Sequence, residues 1–198
     1  MPEGMHITMS YWLIRAIPVW VLFRVVILIV KKIRKRNIDI KNEFIINLFA
    51  LYLIFVAGIV FLPLSIYWAK QKYYSLPNIN YVPFKDLIKT IIYASYYKYI
   101  FINVFGNIAM FIPFGLLFPL LWGEKFKGLK VTILSGILLS FSIEVLQFIE
   151  GNVFHSLLSR SSDINDIILN TLGALIGYFA YVKLLKKNRI NSSLNDEF

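Results

Sequence analysis

Residues 44–64 read FIINLFALYLIFVAGIVFLPL and contain no charged side chain. A helix rises about 1.5 Å per residue, so this run is about 30 Å long, which matches the hydrocarbon core of a bilayer. The run therefore predicts a membrane-spanning helix.

Four further apolar runs have a comparable length, at residues 11–30, 100–122, 131–149 and 164–182. The whole chain is 58% hydrophobic and only 16% charged, with a mean hydropathy of +0.66. These values lie well outside the composition of soluble globular proteins. We therefore expect an all-α integral membrane protein that forms a single domain over residues 1–198, a bundle of about five transmembrane helices.

The longest connection, residues 65–98, mixes aromatic residues with lysines, as is typical of a membrane interface. Between Phe84 and Tyr97 its apolar residues recur at spacings of three and four. This spacing predicts a helix that either lies on the outer surface of the membrane or docks on the helix bundle.

The positive charge, +10 overall, lies mainly next to the apolar runs. The segments 31–43, 123–130 and 183–198 hold 13 Lys and Arg residues, against 6 on the opposite side. This asymmetry favours a multi-pass membrane protein with its N-terminus outside and its C-terminus inside, and it argues against nucleic-acid binding. Arg24, inside the first span, is expected to extend toward the inner headgroups rather than to pair with a carboxylate.

Cysteine is absent and only His6 and His155 are present. Disulfides and thiolate sites are therefore excluded, and a histidine-rich metal centre is not expected. We predict no cofactor, although carboxylate oxygens would suit a divalent cation.

Polar residues inside or beside the last three spans are costly in a membrane and point to a functional site. The candidate binding residues are Asn107, Glu144, Gln147, Arg160, Asp163, Asp166 and Asn170. With the topology above, they lie near the outer ends of their spans and are expected to converge on one polar pocket. The candidate residues for helix packing are Pro113, Gly115, Gly173 and Gly177.

Two structural explanations compete with a binding role. Asp163 could be the N-cap of the fifth helix, with Arg160 as an ion-pair partner. The carboxamides could form hydrogen bonds between helices that stabilise the bundle. If the residues form a site, it could bind a polar headgroup or sugar, coordinate a divalent cation, or supply an acid/base pair.

These residues lie in an ordered set of motifs that resembles the VanZ-like family of bacterial membrane proteins. The motifs are NYVPF at 80–84, NIAMFIPFG at 107–115, Glu144-x-x-Gln147, and Arg160-x-x-Asp163-x-x-Asp166-x-x-x-Asn170-x-x-Gly173-x-x-x-Gly177. The resemblance covers about residues 80–182. It implies a link to resistance against teicoplanin-type lipoglycopeptides, and it implies no reaction.

The leading hypothesis is a non-enzymatic envelope protein with a pocket open to the outer leaflet. Its ligand would be an amphiphile, such as a lipid, a lipid-linked cell-wall precursor or a lipoglycopeptide. The alternative is an intramembrane enzyme for a lipid-linked substrate, assisted by a divalent metal.

Overall fold

Five long helices make up most of the structure, a computed structural model that describes residues 4–67, 79–85, 88, 91–92, 97–121, 127–153 and 162–195. The helices are α1 (Met9–Ile33), α2 (Ile40–Phe61), α3 (Tyr97–Leu121), α4 (Leu129–Val153) and α5 (Ile164–Asn195). Each contains a segment that is long and apolar enough to cross a membrane. The predicted all-α membrane protein with about five spans is confirmed.

Four short strands accompany the helices in the described part of the chain. β1 (Gly4–Ile7) pairs antiparallel with β2 (Leu64–Tyr67), and β3 (Ile79–Asn80) pairs with β4 (Ser162–Asp163). The helix predicted between Phe84 and Tyr97 lies largely outside the described residues.

The chain divides into two compact units. The first comprises residues 1–79 and 145–162, and the second comprises residues 80–144 and 163–198. The single domain expected from the sequence stays a prediction.

In the first unit, α1 and α2 form an antiparallel pair joined by polar contacts. The indole N–H of Trp12 donates to the carbonyl of Ile54 at 2.9 Å. The indole N–H of Trp20 donates to Oδ1 of Asn47 at 3.1 Å. The later residue of α1 thus contacts the earlier residue of α2, as in an antiparallel pair. Such hydrogen bonds between helices stabilise contacts that apolar side chains alone would leave unspecific in lipid.

The expectation for Arg24 is wrong, because its guanidinium forms an ion pair with the carboxylate of Glu43 on α2. Both residues are buried, each with 8% of its surface exposed. Lys31 of α1 also pairs with the same carboxylate. A buried charge is very unfavourable without a partner, and Glu43, near the start of α2, lies within reach of the long arginine side chain.

In the second unit, α3 and α5 pack closely along glycines. A Cβ atom at Gly173 would collide with the backbone carbonyl of Ile108, and one at Gly177 would collide with that of Ile112. Gly115 lies in the same way against the carbonyl of Ala174. Small residues at such positions let two helix backbones approach closely. Pro113 lies within α3 and is half-buried.

Candidate functional site

Helix α5 begins directly after Asp163, and this residue caps it. Oδ1 of Asp163 accepts a hydrogen bond from the backbone N–H of Asn165 at 2.8 Å, as an N-cap carboxylate does. The same oxygen accepts a bond from Nδ2 of Asn80 at 3.2 Å. Capping is therefore one role of Asp163, and a second role is to hold the strand that contains Asn80.

Glu144 of α4 also contacts Asp163. Its Oε2 accepts a hydrogen bond from the backbone N–H of Asp163 at 2.9 Å. Only 5% of Glu144 is exposed. A buried carboxylate needs such donors, and this bond ties α4 to the start of α5.

The NYVPF segment is fixed to α5 by a second contact. The backbone N–H of Phe84 donates to Oδ1 of Asn165, which is 4% exposed, at 2.7 Å. Phe84 has a φ of 60°, in the left-handed region that residues with a Cβ rarely adopt. The two bonds from Asn80 and Phe84 hold this connection against the N-terminus of α5.

The third helix adds two asparagines one turn apart. Nδ2 of Asn107 donates to Oδ1 of Asp166 at 2.6 Å, a charge-assisted bond between α3 and α5. It also donates to Oδ1 of Asn103 at 3.2 Å. Asn103 is exposed, whereas Asn107 and Asp166 are half-buried, so this chain of contacts runs from the surface to the contact between the helices.

We call these residues the polar cluster: Asn80, Asn103, Asn107, Glu144, Asp163, Asn165 and Asp166. Neither Asp163 nor Asp166 forms an ion pair with any residue in the described ranges. Oδ1 of each aspartate accepts hydrogen bonds from amide groups, which do not neutralise a carboxylate. The polar cluster therefore presents carboxylate and carboxamide oxygens, which accept hydrogen bonds.

Asn170 lies one turn further along α5, and its Nδ2 donates to Oγ of Ser140 at 2.8 Å. Asn170 is 1% exposed and Ser140 is fully buried. This contact between α4 and α5 fits the structural explanation for the carboxamides, since it stabilises helix packing in a place that solvent does not reach.

The candidate Gln147 contacts a different part of the chain. Gln147 donates from Nε2 to the carbonyl of Val60 at 3.1 Å, a contact within the first unit. Arg160, like His155, lies outside the described residues.

The polar cluster contains three carboxylates, those of Glu144, Asp163 and Asp166. Among the residues that the structure describes, no three His, Asp or Glu side chains are arranged to hold a metal ion. Oδ1 of Asp163 and Oδ1 of Asp166 instead accept hydrogen bonds from carboxamides.

Sequence reasoning did not propose Asn80, Asn103, Asn165 or Ser140 as site residues. Asn80 had a signal, because it opens the NYVPF motif, and Asn103 lies one turn before Asn107. Asn165 and Ser140 had none, since a single polar residue beside or within an apolar run does not reveal its partner.

The chain was compared with known proteins. The model of the VanZ/LLP1 family matches residues 49–186, more than half of the chain. The chain belongs to the VanZ/LLP1 family. No curated protein and no solved structure matches it.

The VanZ/LLP1 match begins within α2 and thus reaches further toward the N-terminus than the motifs quoted above. It includes every residue of the polar cluster and the glycines between α3 and α5. Arg24, Lys31 and Glu43 lie before it, so the ion pairs between α1 and α2 belong to the part of the chain that the family match leaves out.

Proposed function

We propose that this VanZ/LLP1 protein lies in the bacterial cytoplasmic membrane and binds the polar head of an amphiphile at the polar cluster. The ligand is a lipid, a lipid-linked cell-wall precursor or a lipoglycopeptide of the teicoplanin type. The observation that carries the proposal is the bond between Asn107 and Asp166, because it holds a charged, half-buried carboxylate beside an exposed asparagine at a contact between two membrane helices.

The polar head of an amphiphile can donate hydrogen bonds to the Asp166 carboxylate. Hydroxyl, amide and ammonium groups donate hydrogen bonds, and the acyl chains of the ligand would remain among the apolar side chains of the helices. Bonds to an ionised carboxylate are stronger than those between neutral groups. Arg160 would contact a phosphate or carboxylate of the same ligand.

The side of the membrane follows from the distribution of basic residues. With the N-terminus outside, the polar cluster opens to the outer leaflet, where lipid-linked wall precursors and lipoglycopeptides meet. The VanZ-like resemblance supports this ligand class, and a role in lipoglycopeptide resistance follows from it.

The test compares the substitution Asp166→Asn with Asp39→Asn. The first removes the charge but keeps an oxygen that can accept the bond from Asn107. The second makes the same change at the N-cap of α2, far along the chain from the polar cluster. Native mass spectrometry of the purified proteins with added teicoplanin would measure binding, and growth in teicoplanin would measure resistance.

We expect Asp166→Asn to weaken binding about tenfold or more, the value of one charge-assisted hydrogen bond, with an unchanged yield of folded protein. Asp39→Asn should bind as the unchanged protein does. Equal loss of folded protein and of binding in Asp166→Asn would instead assign Asp166 a structural role. Unchanged binding would refute the proposal for this ligand.

The alternative is an intramembrane enzyme for a lipid-linked substrate, with Glu144, Asp163 and Asp166 as cation ligands or acid/base groups. No contact in the polar cluster favours it over binding. The same mass spectra would detect it, because a stoichiometric divalent ion that disappears in Asp163→Ala would support the enzyme.

A further inference from the structure

The loop between α1 and α2 and the adjoining helix ends carry a dense group of exposed cations. Five basic residues are exposed within ten positions, and we call them the basic hairpin: Lys32, Arg34, Lys35, Arg36 and Lys41. None of the five forms an ion pair with any residue in the described ranges.

The two acids near the basic hairpin, Asp39 and Glu43, already have partners. Oδ1 of Asp39 accepts bonds from the backbone N–H groups of Lys41 and Asn42, at 3.0 and 3.3 Å, and so caps α2. The Glu43 carboxylate pairs with Arg24 and with Lys31. Two cations on one carboxylate leave a further positive charge, and the buried Nε–H of Arg24 has no acceptor among the described residues.

Large apolar side chains surround these charges. Ile33, the last residue of α1, is 74% exposed, and Ile40, the first residue of α2, is 81% exposed. Both helices are candidate membrane spans, so the basic hairpin lies where a span ends and the headgroup region begins. Apolar groups next to free cations match a molecule with acyl chains and a negative head.

We propose that the basic hairpin is a binding site for an anionic phospholipid, with the cations holding the phosphate and the isoleucines contacting the acyl chains. A cation near a membrane surface attracts anionic lipid, and several close together act jointly. The Arg24–Glu43 pair connects α1 to α2 and so fixes the loop that presents the cations. The site is separate from the polar cluster and does not depend on its function.

The experiment offers the purified full-length protein an equimolar mixture of phosphatidylglycerol and phosphatidylcholine with identical acyl chains, and measures the retained lipids by native mass spectrometry. One variant carries Lys32→Gln, Arg34→Gln and Arg36→Gln. The matched control carries Lys85→Gln, Lys98→Gln and Lys130→Gln, which removes the same charge from three other exposed lysines.

We expect the unchanged protein and the control to prefer phosphatidylglycerol, and the hairpin variant to lose about tenfold or more of that preference. The replaced side chains are exposed, so thermal unfolding of the variant should match that of the control. A second measurement needs no variant: raising the salt from 0.1 M to 1 M should reduce the preference of the unchanged protein, because salt screens charge.

Three results would overturn the proposal. The unchanged protein could show no preference, the hairpin variant could keep it, or both triple variants could lose it equally. An arm with inorganic phosphate separates the two sources of a phosphate group. Displacement of phosphatidylglycerol by millimolar phosphate would mean that the site binds the free anion rather than the lipid.

Discussion

The Glu43 carboxylate pairs with two cations of α1, so its loss affects more charges than the loss of either partner. If Arg24 is lost, the carboxylate keeps Lys31. If Glu43 is lost, Arg24 and Lys31 both remain without a described carboxylate partner. The side chains of Arg24 and Glu43 are 9% and 10% exposed, so the unpaired charge would stay largely shielded from water.

We therefore predict that Glu43→Leu lowers the free energy of unfolding by about 3 kcal/mol or more, the usual effect of removing one partner of a buried ion pair. Arg24→Met should cost less. The double variant should be more stable than Glu43→Leu alone, since an apolar pair leaves one cation fewer to bury. Unfolding of the purified protein by SDS in mixed micelles would measure the three values.

Arg15→Met provides the control, because Arg15 is an exposed arginine of the same helix that lies over the ring of Tyr11. Its unfolding free energy should change by less than about 1 kcal/mol. If Arg24→Met proved more harmful than Glu43→Leu, the pairing of Lys31 with Glu43 would contribute little.

At the scale of the helices, the contact between α3 and α5 depends on the absence of side chains. The backbone carbonyls of Ile108 and Ile112 occupy the positions where Gly173 and Gly177 would carry a Cβ. A flexible side chain could move aside, but a helix backbone can yield only if the two helices separate. The bond between Asn107 and Asp166 spans this same helix pair, so its length depends on the glycines.

We predict that Gly173→Ala lowers the free energy of unfolding by about 1–3 kcal/mol through overpacking. Gly106→Ala, in α3, should be neutral or stabilising by up to about 1 kcal/mol, because nothing lies within 4 Å of a Cβ there and alanine favours helix. The same denaturant titrations would compare the two. Equal effects at both positions would show that helix propensity, and not close packing, decides the outcome.

The helices could be predicted from the sequence because their signal is local. An uncharged run such as residues 44–64 predicts a membrane-spanning helix whatever the rest of the sequence contains. Each of the other four apolar runs also overlaps one helix of the structure. Pairing between distant residues carries no such signal. Arg24 and Glu43 are nineteen positions apart and Asn80 and Asp163 eighty-three, and hydropathy reports neither contact.

The candidate site was only partly predictable for the same reason. Helical spacing placed Asp163, Asp166 and Asn170 on one face of α5, and the structure gives each of them a contact with another element. Spacing also grouped Gln147 with Glu144, whereas Gln147 binds Val60. The helical spacing of residues indicates which of them share one face of a helix. It does not indicate which neighbouring element that face contacts.

For the whole molecule, the decisive property is its direction in the membrane, because an outer-leaflet ligand requires the N-terminus outside. The chain contains no cysteine, so one introduced thiol can be labelled without a background. Lys35 and Tyr81 are suitable positions, since both are exposed and Tyr81 adjoins Asn80 of the polar cluster. In the proposed topology, the two positions lie on opposite sides of the membrane.

We predict that, in intact cells, a thiol reagent that cannot cross membranes labels Tyr81→Cys but not Lys35→Cys. Permeabilised cells should show labelling at both positions, which controls for thiols that are simply inaccessible. The reverse pattern would place the polar cluster on the cytoplasmic side. The outer-leaflet ligand would then be refuted, whereas the anionic phospholipid site at the basic hairpin would keep its own test.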